Sequence, residues 1–404
     1  MTKGPRRTPS FYIACGAIAL FIAGCTSCDK KKDTLPPAQE TTPGKAIAIP
    51  PAHAAYVTNN GSDSIGVLDR DGAAVDAVPI DLDPDAHEAP HHLAIDPAGK
   101  AVFVALAFPP APTKKKDPHA SHGNAADSGK LARLDLGTLA VTRTRWVDEN
   151  PGDVVLTHDR KRVLVSHFDM KRAMDVAARG GASPATMFAS LVVLDAQTLD
   201  ERGKRAVCVA PHGMAVTKDD KTAFIACYGS DELAVVDLSA DGLPTSRHPL
   251  GASQGVPGQP RYGPYSATLA PDESLVVVAD LEGQDVRIWD RATKTFRDAT
   301  VPLSAKAFMP AFVAPKVIIV PTQAPDGLAR IDLETMKATA RVAPSKADCT
   351  LPHVVAVAPD ARVYVVCEGD HTAPGTVIEI DEATLATKKK WTVGVYPDGI
   401  AFGG

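Results

Sequence analysis

The sequence is poor in aromatic residues: 5% of its 404 positions are Phe, Trp or Tyr. It also lacks an excess of charge of either sign. Lys and Arg number 43 against 48 Asp and Glu, the formal net charge is -5 and the pI lies near 6.2, so nothing draws the chain toward a nucleic-acid backbone. Beyond residue 23 no long apolar run occurs, which argues against a polytopic membrane protein. Gly (30) and Pro (34) follow no collagen-like period, and an apolar share of 45% is too high for extended disorder. What is there is Ala and Val, punctuated throughout by Pro and Gly. That mixture suits many short strands joined by tight turns. The length exceeds a typical domain, so the chain is either several small domains or one large repetitive one.

The first residues read as an export signal. Lys3, Arg6 and Arg7 precede an apolar run over residues 11–23, too short for a transmembrane helix, which ends Ile22-Ala23-Gly24-Cys25. This ending resembles the lipobox of bacterial lipoproteins. The resemblance implies a signal peptide over residues 1–24, cleavage before Cys25 and acylation of the Cys25 thiol. Two or more acyl chains, at about 0.8 kcal/mol per buried methylene, anchor a protein stably to a membrane. Thr26 stands where Asp would favour inner-membrane retention, so the expected place is the outer membrane, facing the periplasm or the cell surface. An ordinary secretory signal with a chance Cys is the alternative. Residues 25–50, with Lys30-Lys31-Lys32 and Pro36-Pro37, hold too little apolar surface to fold and read as a flexible tether. Cys25 and Cys28 have a CxxC spacing, but Asp29 follows where covalent haem attachment needs His.

From residue 51 onward one pattern recurs seven times: an apolar strand closing on Asp, at Asp69, Asp135, Asp195, Asp237, Asp290, Asp332 and Asp381. The shortest intervals match a four-stranded propeller blade of about 40–45 residues, and the longer ones carry insertions. Between these marks lie hairpins such as residues 93–105, with Asp96-Pro97-Ala98-Gly99-Lys100 at the turn. One copy departs, at Ala314-Pro315-Lys316, and predicts a tighter or irregular hairpin. The first unit lacks an inner strand, and residues 397–402 have the inner-strand form at the opposite end of the chain. The expected fold is therefore all-β: a seven-bladed β-propeller of four-stranded antiparallel blades over residues 51–404, its ring closed by the C-terminal strand in the first blade. Closure of that kind removes two exposed edges. The repeated Asp is expected to cap a turn.

Tyr56-Val57-Thr58-Asn59, followed by residues 61–65 and Val67-Leu68-Asp69, resembles the YVTN-repeat β-propellers of bacteria and archaea, which are surface-layer-like. The resemblance covers about residues 51–404. It implies the fold and leaves the function open, because this architecture hosts binders, enzymes and cofactor scaffolds.

Blade geometry sends the longest connections, residues 83–92, 107–130, 168–189 and 250–265, to one face. The mouth of the central channel opens there. Just before each inner strand stand His91 and His92, Asp153, His212, Ser266, Ala311, His353 and Asp398, with His167 and Arg261 nearby. Neutral imidazoles around an axial mouth suit a transition metal or an anionic ligand. The competing reading makes Pro-His an ordinary turn of this repeat. His119 and His122 lie in a Lys-rich loop that reads as a solvated flap. Cys208 with Cys227, and Cys349 with Cys367, have matched spacing, one Cys before an inner strand and the other ending the antiparallel second strand. In an exported protein this predicts two disulfides. The alternative is a Cys/His metal site in each blade.

The resulting expectation is a lipid-anchored, monomeric binding or scaffold protein. It would take a protein or small-molecule ligand, and no nucleic acid, on the insertion face and channel mouth, with no catalytic residue assigned. The alternatives are a lactonase-like hydrolase, with Asp153, His212, Arg261, His353 and Asp398 around the mouth, and a metal- or cofactor-binding redox partner.

Overall fold

A computed structural model describes residues 39–40, 47–109, 128–180 and 183–403. The signal segment, Cys25, Cys28, His119 and His122 lie outside the described residues. Seven antiparallel sheets form the blades of a propeller. The inner strands are Pro397–Phe402 in blade one, Pro90–Asp96 in blade two, Pro151–Leu156 in blade three, Pro211–Val216 in blade four, Pro264–Leu269 in blade five and Pro352–Val357 in blade seven. Blade one is closed as the sequence predicts: Pro397–Phe402 pairs with Ala54–Asn59, the second strand of that blade.

Alternation along the strands builds the core. Successive side chains point to opposite faces, so each blade offers an apolar face to both neighbours. Seven buried clusters result, one at each junction between adjacent blades. Tyr56 and Ile65 of blade one meet Val102 and Val104 of blade two, while Val57 and Leu68 on the other face of blade one meet Tyr364 and Val377 of blade seven. The recurring Asp caps the turn after the third strand in all seven blades. Its carboxylate accepts the backbone N–H two residues on: Asp71 for Asp69, Gly137 for Asp135, Gln197 for Asp195, and likewise through Asp381.

Four features depart from the sequence reading. Within the expected tether, Gln39–Glu40 pairs with Val141–Glu149 as an extra outer strand of blade two, and Ile49 is buried in the core between blades one and two. The connection over residues 168–188 contains a helix, Met170–Ala178, with the Asp169 carboxylate accepting the Arg172 N–H as its cap. The inner strand of blade six is broken into Lys306–Ala307 and Ala311–Ala314, because Pro310 has no N–H to give the ladder. Beyond that break, Ala314 pairs with Val317 across Pro315 and Lys316, which is the tight hairpin predicted there. Fourth, the mouth residues do not precede the inner strands. They occupy the second or third positions inside them, except Ala311, which begins the second segment of the broken blade-six strand.

Both predicted disulfides are present: Cys208–Cys227 and Cys349–Cys367. The strand register places Cys227 opposite Pro211 and Cys367 opposite Pro352. Each bridge therefore clamps the entry to an inner strand. Among the described residues no helix is long and apolar enough to cross a membrane.

Candidate metal centre in the channel

Six inner strands enter the channel by the same local device. Each begins with Pro, and the residue before it has positive φ: Ala89, Asn150, Ala210, Gly263, Leu351 and Tyr396, between 48° and 58°. Positive φ is uncommon outside Gly and folds the chain back sharply. The Pro then pairs with the end of the second strand, and the register shifts before pairing resumes. Such bulges re-aim side chains. Here they turn the residues after Pro toward the axis: His91 and His92, Asp153, His212, Tyr265, His353 and Asp398. The strands pack closely at the axis. A Cβ on Gly399 would come within 3.1 Å of the His91 carbonyl, and one on Gly152 within 3.3 Å of the His212 ring.

Three imidazoles converge. The His91 and His92 rings stack at 4.3 Å, and His212 meets them edge-on at 5.6 and 5.4 Å. One ligand atom from each of the three lies within 4.8 Å of the other two, and all three residues are buried. Their other nitrogens identify the tautomers. His91 Nδ1 donates to Asp398 Oδ2, His92 Nδ1 donates to Asp153 Oδ1 at 3.0 Å, and His212 Nδ1 donates to the Tyr265 carbonyl at 3.2 Å. With Nδ1 carrying the proton in each ring, Nε2 of the neutral imidazole presents a lone pair. His91 Nε2 and His212 Nε2 lie 3.4 Å apart, and His92 Nε2 is buried with no hydrogen-bond partner among the described residues.

His92, His353 and Asp398 form a second such group. In this group His353 and Asp398 lie in ion-pair contact with each other, and His92 is shared with the first group. Tyr265 donates its hydroxyl proton to His353 Nε2 at 3.0 Å, while His353 Nδ1 contacts Asp398 Oδ1 at 2.9 Å and Glu368 Oε1 at 3.1 Å. His353 and Asp398 therefore act as a support behind His91.

Buried charge sets the electrostatics. Burial works against the Asp398 carboxylate, yet His91 and His353 outweigh it and hold this group well below the usual carboxylate range. Burial pulls the His92 pKa down, but the Asp153 hydrogen bond and the Asp153 and Asp398 charges carry it above 6.5. Burial, followed by the Asp398, Glu368 and Asp153 charges, pushes the Tyr265 hydroxyl well above 10.

Two predicted residues stay outside this cluster. His167 Nδ1 pairs with the Ser190 carbonyl at 2.9 Å, and burial lowers its pKa. Arg261 belongs to the connection before blade five, its Nη1 on Ser253 Oγ and its N–H on Asp231. The His212 and His353 rings do not meet directly. Tyr265 stands between them, stacked on His212 at 3.9 Å and 5.7 Å from His353. Tyr265, Glu368 and Phe168 are absent from the sequence reading. Tyr265 follows Pro264 just as His212 follows Pro211, so the Pro-X entry was the signal for it. Phe168 begins the blade-three insertion and packs edge-on against His212 at 5.0 Å, covering it with apolar surface.

No protein-family model and no curated protein matches the sequence. Solved structures share the fold. A protein from Lactobacillus plantarum aligns with a TM-score of 0.59 at 14% identity over 87% of this chain and 99% of its own. The periplasmic gluconolactonase PpgL of Pseudomonas aeruginosa aligns with a TM-score of 0.55 at 16% identity over 86% of this chain and 98% of its own. The dihydro-heme d1 dehydrogenase NirN in complex with DHE aligns with a TM-score of 0.54 at 14% identity over 91% and 80%. Likeness at these identities speaks for the fold.

Proposed function

We propose that this propeller is a metal-binding protein that holds one divalent transition-metal ion in its channel on Nε2 of His91, His92 and His212. The observation that carries this reading is the common tautomer: three convergent rings, each with Nδ1 tied to an acceptor. Metal-bound imidazoles are held in this way by carboxylates and carbonyls. Zn–N bonds of about 2.0–2.1 Å place tetrahedral nitrogens about 3.3–3.4 Å apart, which is the separation of His91 and His212 Nε2. Imidazole-only donors suit Zn, Cu, Ni or Fe over Ca or Mg.

Burial of the three rings supports an ion over a sugar-sized ligand. A second reading, hydrolysis or cofactor chemistry at the same mouth, draws on PpgL and NirN as fold neighbours and on the open fourth position that a three-imidazole site leaves for water. Lactone hydrolysis by the zinc-loaded protein, abolished in His92→Ala, would favour it.

The YVTN-like repeat and the Ile22-Ala23-Gly24-Cys25 motif support an exported, lipid-anchored monomer at the outer membrane, with the insertion face turned to a partner protein or ligand. Cys25→Ala should then move the protein from the detergent phase to the aqueous phase, and unchanged partitioning would remove the anchor. The metal reading is tested by competing a chromophoric chelator against EDTA-stripped protein for zinc. One equivalent should bind the wild type and none should bind His92→Ala; equal binding by both proteins rejects the assignment.

A further inference from the structure

We propose that blades two and three hold a second, separate ligand on the opposite face: a dianionic oxyanion of the phosphate or phosphate-monoester class. A cavity of about 440 Å³ opens between these blades, beside the turns that join first to second and third to fourth strands. Arg133, Arg143 and Arg160 line it, and Asp96 is the one carboxylate among its described lining residues. The Asp96 carboxylate is turned to its own hairpin, accepting the Gly99 N–H at 2.9 Å.

Arg133 and Arg143 are direct cross-strand partners, which gathers two guanidinium groups on one wall of the cavity. Arg133 meets neutral acceptors, with Nη1 on Thr142 Oγ1 at 3.2 Å and Nη2 on the Gly99 carbonyl at 3.5 Å, and its Nε has no partner among the described residues. Arg143 donates Nη1 to the Thr198 carbonyl at 3.2 Å, and its register partner on the other side is Glu40. Arg160 stands on the exposed turn of blade three at φ 59°. Arg145 lies two residues beyond Arg143 on the same face of that strand. It is 7% exposed, its Nε has no partner, and no carboxylate among the described residues pairs with it. The three guanidinium groups that line the cavity are suited to bidentate recognition of a tetrahedral oxyanion, with Arg145 behind them. The volume leaves room for more than phosphate alone, which points to a small phosphorylated molecule.

The test uses the full chain stripped of metal with EDTA, so that phosphate cannot act through a channel ion. Melting temperature is followed against inorganic phosphate, a hexose 6-phosphate and sodium chloride at matched ionic strength. A ligand that binds only the folded state stabilises it by mass action. At about 10 mM, the two phosphates should raise the melting temperature above the chloride control. Arg160→Asn keeps a residue that tolerates positive φ on an exposed turn, so it should fold as the wild type does. It should weaken phosphate binding by calorimetry about tenfold, the loss of one charge-assisted hydrogen bond, and Arg133→Gln should do the same. His92→Ala should respond to phosphate as the wild type does, whatever becomes of the channel site. Preference for the hexose phosphate identifies a phosphorylated metabolite, and equal binding identifies free phosphate. No rise over chloride in the wild type, or an undiminished rise in Arg160→Asn, overturns the proposal.

Discussion

His91 Nε2 and His212 Nε2 face each other 3.4 Å apart in the channel. Each ring already donates its Nδ1 proton, to Asp398 and to the Tyr265 carbonyl. Two lone pairs at this distance repel unless a proton or a cation lies between them. The proposed metal ion would resolve that conflict for His91 and His212 together with the Nε2 of His92, which is buried with no hydrogen-bond partner among the described residues. Replacing His212 with Ala should leave two imidazoles and weaken zinc binding at least about 100-fold, as measured by chelator competition. Unchanged affinity would place the ion elsewhere.

Asp153 is a positioning residue. One carboxylate oxygen accepts the His92 Nδ1–H and the other accepts the Met214 N–H at 2.8 Å, tying the ring to the backbone of blade four. Asp153→Asn retains one acceptor and loses the charge. Zinc affinity should fall about 10–100-fold. Asp153→Glu, which restores the charge at a longer reach, should recover part of it. A merely structural role would show as a lower melting temperature with affinity intact.

Acid should expel the metal early. Despite burial, Asp153 and Asp398 raise the pKa of His92 above 6.5, so this ring keeps its second proton at higher pH than an ordinary imidazole does. Only the neutral ring can ligate. Affinity should therefore begin to fall as pH drops toward the raised pKa, above 6.5, with a proton released per ion bound in that window. In Asp153→Asn the onset should move to lower pH. In the metal-free protein the same raised pKa has the opposite sense: its contribution to stability is full below 6.5 and is lost as pH rises through the folded-state value. A zinc titration at several pH values reads the onset directly, and a flat profile down to pH 6 contradicts it.

Each disulfide closes a short loop next to a channel histidine, with separations of 19 and 18 residues. Loops of this length predict about 3 kcal/mol of stabilisation per bridge. A Cys349→Ala/Cys367→Ala double variant should lose about that much in urea denaturation. It should also bind zinc more weakly, because the entry at Leu351 and Pro352 that aims His353 is no longer clamped.

Ring closure makes the C-terminus indispensable. Deleting residues 396–404 removes the inner strand of blade one and, with Asp398, the support of His91 and His353. The truncated chain should show no cooperative thermal transition near that of the intact protein; a wild-type melt would contradict the closure.

The repeat itself was legible because blade architecture is written locally. The seven Asp residues sit where a turn needs a side-chain acceptor, strand alternation marks the blade faces, and residues 397–402 have the form of an inner strand. The disulfides were legible from matched spacing on antiparallel strands. The centre was legible only in part. His91, His92, Asp153, His212, His353 and Asp398 were found by their place in the repeat. Their pairing depends on bulges that shift the register after each Pro, and nothing in the local sequence states which way a bulged residue turns. Tyr265 was missed by one position for that reason, and Glu368 because it enters from the end of a second strand. His167 and Arg261 were included for proximity to the mouth, yet their hydrogen bonds commit them to Ser190 and to the Ser253–Asp231 clamp.

X-ray absorption at the zinc edge of the loaded protein tests the central claim most directly. The account predicts a low-coordinate nitrogen or oxygen shell at about 2.0–2.1 Å with the outer-shell scattering of three imidazoles. In His92→Ala that signal should be lost. A sulfur scatterer at about 2.3 Å, a shell without imidazole scattering, or a spectrum unchanged in His92→Ala would contradict it.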